Sequence, residues 1–430
     1  MQTSPLRRLL KSRRVLGLVA LVLCTSAFVW AAGTGFAPQL RMAYTNGDQW
    51  EPALAADGYG HVYILYPQYG AVPDCRSCPL PTLVLISSVD NGATWQTPRQ
   101  IGPATTGQFD PQIVVDPADH RTLYAAWVQN HETDVVVAKS ADFGQSWSLV
   151  VAARNRETDK PILAVRGADV YVAFNRERKL WIASSHDGGV TFVARPASSA
   201  NLKWSLPGGG TVDVNGNAYF SWAGYPANNA KGMISLYVSR SADNGKTWSN
   251  TLIDASESAP ECAAFHCGWS YLGAQITLTS DAAGTLYALW NSGSASKGPE
   301  RIYFASSTTA GDTWSPRISV STAGSRVEHA FPAIVGGAAG DVRVAWMDTR
   351  NSPLWNTYYR SSTNGGATWS AEAKLSTYVA GYSYIQPTGF RFPFGDYFEM
   401  DIDSQGRTHA VWGEGANFKS PGSIWYSSGK

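Results

Sequence analysis

The chain has 430 residues, of which 44% are hydrophobic and 12% aromatic, and its 34 basic side chains nearly balance 33 acidic ones. No run of basic residues stands in the body of the chain, which argues against nucleic acid as a partner. A chain of this length usually divides into two or three domains. A repeat that continues to the end of the chain without a linker instead predicts one domain over 33–430.

The first 32 residues have the pattern of an export signal. Five basic residues between Arg7 and Arg14 precede an apolar run from Val15 to Trp30, and small residues follow. We expect a signal peptide or an uncleaved anchor over 1–32, and a periplasmic or extracellular protein. Without this segment 29 basic residues stand against 33 acidic ones, so the remaining chain is mildly acidic. Membrane contact is expected only through an uncleaved anchor.

An octapeptide, Ser-x-Asp-x-Gly-x-Thr-Trp, recurs six times along the chain. Successive copies start 45 to 66 residues apart, and a period near 50 is typical of a propeller or a solenoid. The six copies, two complete and four nearly so, are Ser88–Trp95, Ser140–Trp147, Ser185–Phe192, Ser241–Trp248, Ser307–Trp314 and Ser362–Trp369.

Each octapeptide follows a short apolar strand, as at Leu83–Ile86 and Val135–Ala138. It is therefore predicted to form the turn between two antiparallel strands. In this turn Ser and Asp accept hydrogen bonds from backbone N–H groups, and Gly supplies a positive φ. Thr309 and Asn364 replace the Asp in two copies, and both can still accept such a bond. A structural role follows for the octapeptide carboxylates, and we do not expect catalysis from them.

A further pair of strands precedes each octapeptide, which gives four strands per unit, the content of a propeller blade. A seventh unit starts at Tyr397–Asp401 and ends with Ile424–Ser427, before a fourth strand can form. The segment Ala37–Leu54 is similar to the stretch that follows an octapeptide. The sequence thus predicts an all-β, seven-bladed β-propeller whose last blade is completed by the N-terminal strand. A six-bladed ring is the alternative.

Four cysteines follow the export segment, in the pairs Cys75 with Cys78 and Cys262 with Cys267. In an exported protein this pattern predicts two local disulfides. A four-thiolate zinc site with His266 nearby is the alternative. We expect no cofactor and no metal, and a monomer.

The loops that face away from the octapeptides are long and chemically varied, and functional residues concentrate on such loops. Four tryptophans on them have no place in the repeat: Trp50, Trp204, Trp269 and Trp355. They either form platforms for sugar rings or pack loops against one another.

The octapeptides resemble the Asp-box (BNR) repeat of the sialidase-like superfamily, and the resemblance covers nearly the whole chain after the export segment. It implies a carbohydrate-active propeller with a clamp of three arginines, a tyrosine nucleophile activated by a glutamate, and an aspartate as acid and base. Where sialidases open the first blade with Arg-Ile-Pro, this chain has Trp50-Glu51-Pro52-Ala53.

The resemblance selects candidates among the residues of these loops. Catalytic candidates are Tyr384, Tyr397, Glu328, Asp396 and His329. Substrate-binding candidates are Arg156, Arg176, Arg326, Arg350, Arg391, Trp50, Trp269 and Trp355. The function predicted first is a sialidase-like exo-glycosidase acting on an anionic glycan. The alternatives are a lyase acting on a uronate polysaccharide, and a propeller that binds a glycan or a protein without catalysis.

Overall fold

The computed structural model describes residues 35–430 except 45–46, 74, 103–104, 199–201, 228–231, 263–270, 352, 419–421 and the side chain of Asp396. The predicted export segment 1–32 lies outside the described residues. All regular elements in the described part are β-strands, and no helix there is long and apolar enough to cross a membrane.

The strands form seven small antiparallel sheets, each a blade of four strands. The first strand in the described part of the chain is β1 (Leu40–Arg41). Blades 1 to 3 are β2 (Ala53–Ala56), β3 (Val62–Gln68), β4 (Thr82–Ser88), β5 (Arg99–Gln100); β6 (Gln108–Val115), β7 (Leu123–Gln129), β8 (Asp134–Ser140), β9 (Ser148–Arg154); and β10 (Thr158–Arg166), β11 (Asp169–Arg176), β12 (Lys179–Ser185), β13 (Val193–Pro196).

Blades 4 to 7 follow in the same order. They are β14 (Trp204–Val212), β15 (Ala218–Tyr225), β16 (Ile234–Ser241), β17 (Ser249–Ser256); β18 (Ile276–Ser280), β19 (Leu286–Ser292), β20 (Arg301–Ser307), β21 (Ile318–Ser319); β22 (His329–Gly336), β23 (Val342–Asn351), β24 (Leu354–Ser362), β25 (Ala373–Lys374); and β28 (Phe392–Ile402), β29 (Thr408–Gly415), β30 (Gly422–Gly429). A small hairpin, β26 (Ile385–Gln386) and β27 (Gly389–Phe390), pairs with β24.

The N-terminal strand closes the ring. β1 pairs with β30, with Leu40 opposite Tyr426 and Arg41 opposite Trp425, and so supplies the fourth strand of blade 7. The predicted seven blades and their closure are confirmed, and the six-bladed alternative is wrong.

The first strands of the seven blades surround a central channel, each beside the next. Glycines permit a close approach between β14 and β18, because a side chain at Gly208 would overlap the carbonyl oxygen of Ile276. Between blades the second strands are buried on both faces, and their tryptophans are almost wholly buried. These are Trp127, Trp222, Trp290, Trp346 and Trp412.

The octapeptides form the turns that the sequence predicts. In the first copy the Ser88 hydroxyl accepts the Gly92 N–H at 2.9 Å, and Asp90 Oδ1 accepts the Thr94 N–H at 2.8 Å. The serine–glycine bond recurs in the other five copies at 2.8 to 3.0 Å. In the two copies without Asp, Thr309 and Asn364 accept the corresponding N–H at 2.9 Å. The structural role predicted for these turns is confirmed.

The last residue of each complete octapeptide packs against the preceding blade. Trp95 of blade 1 lies edge-on to Tyr426 of blade 7, with 4.9 Å between ring centroids. Trp248 of blade 4 contacts Tyr171 of blade 3. The octapeptide thus closes its own hairpin and holds two blades together.

Candidate functional site

The two ends of the ring differ. The octapeptides and the turns between first and second strands lie at one end, here called the box face. The loops between second and third strands and the connections between blades lie at the other end, here called the loop face. The central channel, about 620 Å³ in volume, is lined by the first strands of all seven blades.

At the loop-face end of the channel, four residues that directly precede a proline have a left-handed backbone. The bulges of β6, β10 and β22 contain three of them, and the fourth precedes β2. Their φ angles are 46° at Glu51, 53° at Asp110, 48° at Lys160 and 52° at Phe331. A residue before proline is normally extended, and a left-handed non-glycine residue costs on the order of 1–3 kcal/mol. Strain repeated at one level of the channel marks this mouth as a candidate site.

The bulges bring side chains of three blades together. Asp110 Oδ2 lies 3.3 Å from the backbone N–H of Lys160, which donates to it. The ammonium of Lys160 lies 4.5 Å from the centre of the Tyr397 ring, and both side chains are 4% exposed. Tyr397 belongs to β28 of blade 7 yet packs in the same core cluster as Ile162 and Ala164 of blade 3.

Side chains of β28 extend across the mouth because the neighbouring first strand of blade 1 is short. The first strand of blade 1 is only Ala53–Ala56, and its small side chains leave space beside β28. Glu399, two residues beyond Tyr397, therefore also reaches past blade 1. Its Oε1 accepts a hydrogen bond of 2.8 Å from Gln112 Nε2 on blade 2. Tyr397, Lys160 and Glu399 all line the channel at its loop-face end.

Burial raises the pKa of two acidic side chains that line the channel, Glu399 and Asp401. Burial raises the pKa of Glu399 to about 7, although the hydrogen bond from Gln112 and the charge of Lys160 oppose this rise. Burial likewise raises the pKa of Asp401 to about 6, against the hydrogen bond of 2.8 Å from the Ala56 N–H. A carboxyl group with a pKa near 7 can both give and take a proton at neutral pH.

Of the predicted catalytic residues, Tyr397 lies in this mouth. Tyr384 lies elsewhere, against the third strand of blade 7, where its hydroxyl donates to Ser423 Oγ at 2.9 Å. Burial raises the pKa of Tyr384. The side chain of Asp396 lies outside the described part of the structure.

His329 and Glu328 lie between blades 5 and 6. The His329 ring is wholly buried, with Nδ1 2.9 Å from the carbonyl oxygens of Glu300 and Val327 and Nε2 2.8 Å from Ser321 Oγ. Burial lowers the pKa of His329, so a neutral ring held by these contacts is expected. The imidazole is thus shielded from solvent, and Glu328 is buried beside Glu300.

The predicted arginines lie on blades 3, 6 and 7. Arg350 pairs with Asp348 at 2.6 Å and with Glu372 at 2.5 Å. Burial opposes its charge, but these bonds raise the pKa of Arg350. Arg176 stacks on Trp181, 4.0 Å from the ring centre. Three further candidates are exposed on connections between blades: Arg156, Arg326 and Arg391. Arg350 and Arg176 are therefore engaged by neighbouring side chains of the protein itself.

The tryptophans favour the loop-packing alternative. Trp50 contacts the rings of Tyr69, Phe394 and Phe418, with centroids 4.4 to 5.4 Å apart. Trp355 is 4% exposed and lies opposite Phe390 in a strand pair. Trp269 lies outside the described residues.

The first predicted disulfide, between Cys75 and Cys78, is confirmed with an S–S distance of 2.05 Å. Cys262 is also disulfide-bonded, while Cys267, its predicted partner, lies outside the described residues. Because these three thiols form disulfides, the four-thiolate zinc alternative is wrong.

Sequence reasoning named Tyr397 but missed Lys160, Asp110 and Glu399 as members of one site. Three of the four strained positions share a signal that the sequence does carry, a polar residue before a proline at the start of a blade. These dipeptides are Glu51-Pro52, Asp110-Pro111 and Lys160-Pro161.

The comparisons agree on the architecture. No family model matches the chain. A curated xyloglucanase from a Paenibacillus species is 26% identical over 247 residues, or 48% of this chain and 23% of that protein, so the chain spans less than a quarter of this relative. Among solved structures, an ulvan lyase, described as a new family of polysaccharide lyase, has a TM-score of 0.54 at 13% identity over 90% of this chain and 95% of its own.

Two further solved structures are similar. A protein of unknown function from Dyadobacter fermentans has a TM-score of 0.50 at 15% identity and covers 92% of this chain and 98% of its own. A Hadza microbial sialidase has a TM-score of 0.46 at 15% identity, covering 89% of this chain and 66% of its own. At their identities, the ulvan lyase and the Dyadobacter protein show the fold alone, which in this chain is a seven-bladed β-propeller.

Proposed function

We propose that this protein is an exported enzyme that cleaves an acidic glycan at the loop-face mouth of the channel. The observation that carries the proposal is the meeting of Lys160, Tyr397 and Glu399 on first strands of the ring, beside the strained backbone of Asp110 and of Lys160 itself. Strain of this kind clusters at functional sites, as do carboxyl groups whose pKa burial has raised. Export rests on the sequence of residues 1–32.

A lyase reaction on a uronate polymer suits these three groups. The ammonium of Lys160 pairs with the substrate carboxylate, which makes the proton on the adjacent carbon easier to remove. Glu399, as a carboxylate, takes that proton, a carbon–carbon double bond forms and the glycosidic C–O bond breaks. Tyr397 donates its proton to the departing oxygen, and Glu399 then passes the proton it took to the Tyr397 phenolate, which restores both groups. The similar ulvan lyase, which was solved bound to a GlcA(1-4)Rha3S unit, supports this substrate class.

Sialidase-like hydrolysis is the second candidate, because Tyr397 and Glu399 lie two residues apart on β28 and so on the same side of the strand. In that reaction Glu399 takes the phenolic proton while the Tyr397 oxygen attacks the anomeric carbon and the glycosidic C–O bond breaks. Glu399 then gives its proton to the departing oxygen, and water cleaves the tyrosine–sugar bond, which restores the phenol. The xyloglucanase relative supports hydrolysis as a reaction class. Sialic acid itself is less well supported, since Arg350, one of the predicted clamp residues, already pairs with Asp348 and Glu372.

The test is an assay of the purified protein on uronate polymers, a sialoside and xyloglucan. Ultraviolet absorbance of an unsaturated uronate identifies elimination, whereas new reducing ends without that absorbance identify hydrolysis. Tyr397→Phe is expected to abolish either signal, while Tyr384→Phe, which removes the other candidate hydroxyl, is the matched control. If the protein binds these glycans but cleaves none, the enzyme proposal fails and the binding alternative replaces it.

A further inference from the structure

Two buried glutamates meet where blade 5 joins blade 6. Glu300 precedes β20 and is 0% exposed, and Glu328 precedes β22 and is 9% exposed. The backbone N–H of Glu300 donates to Oε2 of Glu328 at 2.9 Å, so the two side chains form one cluster. No charged partner of either carboxylate occurs in the described part of the chain.

One oxygen of this cluster has no partner. Oε1 of Glu328 is buried and accepts no hydrogen bond from any described residue. A buried polar atom without a partner costs on the order of 1–3 kcal/mol, and a buried charge costs more. Two carboxylates buried together therefore require protons or a cation beside them.

The groups around the Glu300 carboxylate are a hydroxyl and a side-chain amide, and two backbone carbonyl oxygens lie near that amide. The Glu300 carboxylate lies 3.4 Å from Ser256 Oγ and also contacts the side-chain amide of Asn291. The same amide nitrogen lies 3.4 Å from the carbonyl oxygen of Leu272 and 3.3 Å from that of Gly273. Among the described residues no group of three or more His, Cys, Asp or Glu is placed to hold a metal ion, so neutral oxygens would complete the ligand set.

We propose that Glu300 and Glu328 bind a calcium ion that fastens the loop before β20 to the connection into blade 6. Ca²⁺ takes six to eight oxygen ligands, including carboxylates and carbonyl groups, in adaptable geometry. Mg²⁺ fits less well, because it demands a regular octahedron and keeps several waters. The cation would join three segments at the loop face, namely the end of β17, the β19–β20 loop and the residues before β22.

The test begins with the metal content of the purified wild-type protein, which requires no variant. Chelator-treated protein is then titrated with CaCl₂ in a calorimeter and in thermal unfolding. Calcium at about 100 times its dissociation constant is expected to raise Tm by about 3–5 °C. Glu328→Gln and Glu300→Gln should lose both the heat of binding and the Tm shift. Glu132→Gln, which removes an exposed carboxylate on blade 2, should retain them.

Absence of a calcium-dependent Tm shift and of binding heat in the wild type would overturn the proposal. The pair would then hold a proton instead, and Glu328→Gln would raise the Tm of the chelator-treated protein. A shift that Mg²⁺ reproduces equally would contradict the choice of ion. Because none of these measurements involves glycan cleavage, their outcome is independent of the proposed enzyme activity.

Discussion

The pKa values of the carboxyl groups on the box face and in the channel mouth shift in opposite directions, because the two environments differ. Hydrogen bonds from Ser146 and from Thr247 lower the pKa of Asp142 and of Asp243 to about 2. Burial in the channel raises the pKa of Glu399 to about 7. The first group repeats from blade to blade with its bonds satisfied, whereas Glu399 occurs once. In this propeller the repeated residues maintain the fold, and chemistry is expected where the repeat is broken.

The largest effect is expected from Tyr397→Phe at the loop-face mouth of the channel. We expect glycan cleavage to fall by about 10²–10⁴-fold, as for the loss of a proton-transfer group. Tm should change little, because the phenyl ring retains its packing beside Lys160. Steady-state kinetics and thermal unfolding measure the two effects. Equal activity in the variant and the wild type would remove Tyr397 from the mechanism.

Glu399→Gln tests the raised pKa. A carboxyl group whose pKa rises on folding from about 4.3 to about 7 stabilises the protein most at low pH, and this contribution disappears as pH rises through 7. The wild type should therefore lose up to about 3 kcal/mol of unfolding free energy between pH 5 and 8 through this group. Urea unfolding at several pH values should show a smaller loss for Glu399→Gln. Identical pH profiles would contradict the assignment.

Glu51→Gly tests the strain at the mouth. Glycine adopts φ near 46° freely, so relief of the left-handed backbone should stabilise the protein by about 1 kcal/mol. Chemical unfolding measures the change. A destabilised variant would show that contacts of the Glu51 side chain outweigh the backbone strain.

Asp90→Asn gives the smallest expected effect. Asn364 already occupies the corresponding position of the sixth octapeptide and makes the same backbone bond. Cleavage should equal that of the wild type, and Tm should fall by no more than roughly 2 °C. A large loss of cleavage would show that the repeated turns of the box face take part in function, contrary to this expectation.

Repetition explains which features the sequence predicts well. The octapeptides predict the number of blades, because each of these turns depends on local chemistry. The strands left without a partner at the two ends of the sequence predict the pairing of β1 with β30, because each has an edge that must pair. The site depends on β28 reaching across the short strand Ala53–Ala56, a tertiary detail without a local pattern. His329 illustrates the same limit, since its position at a blade entry suggested the funnel while its ring turns inward to Ser321.

Closure by β1 has a consequence for how the protein matures. β1 must wait for β30 to be synthesised, because Leu40 pairs with Tyr426. Ring formation therefore cannot finish until β30 has emerged, and pairing between such distant segments is slow. During this interval blade 7 has an open edge that can pair with other chains. Assistance by a chaperone would be most effective at this late step.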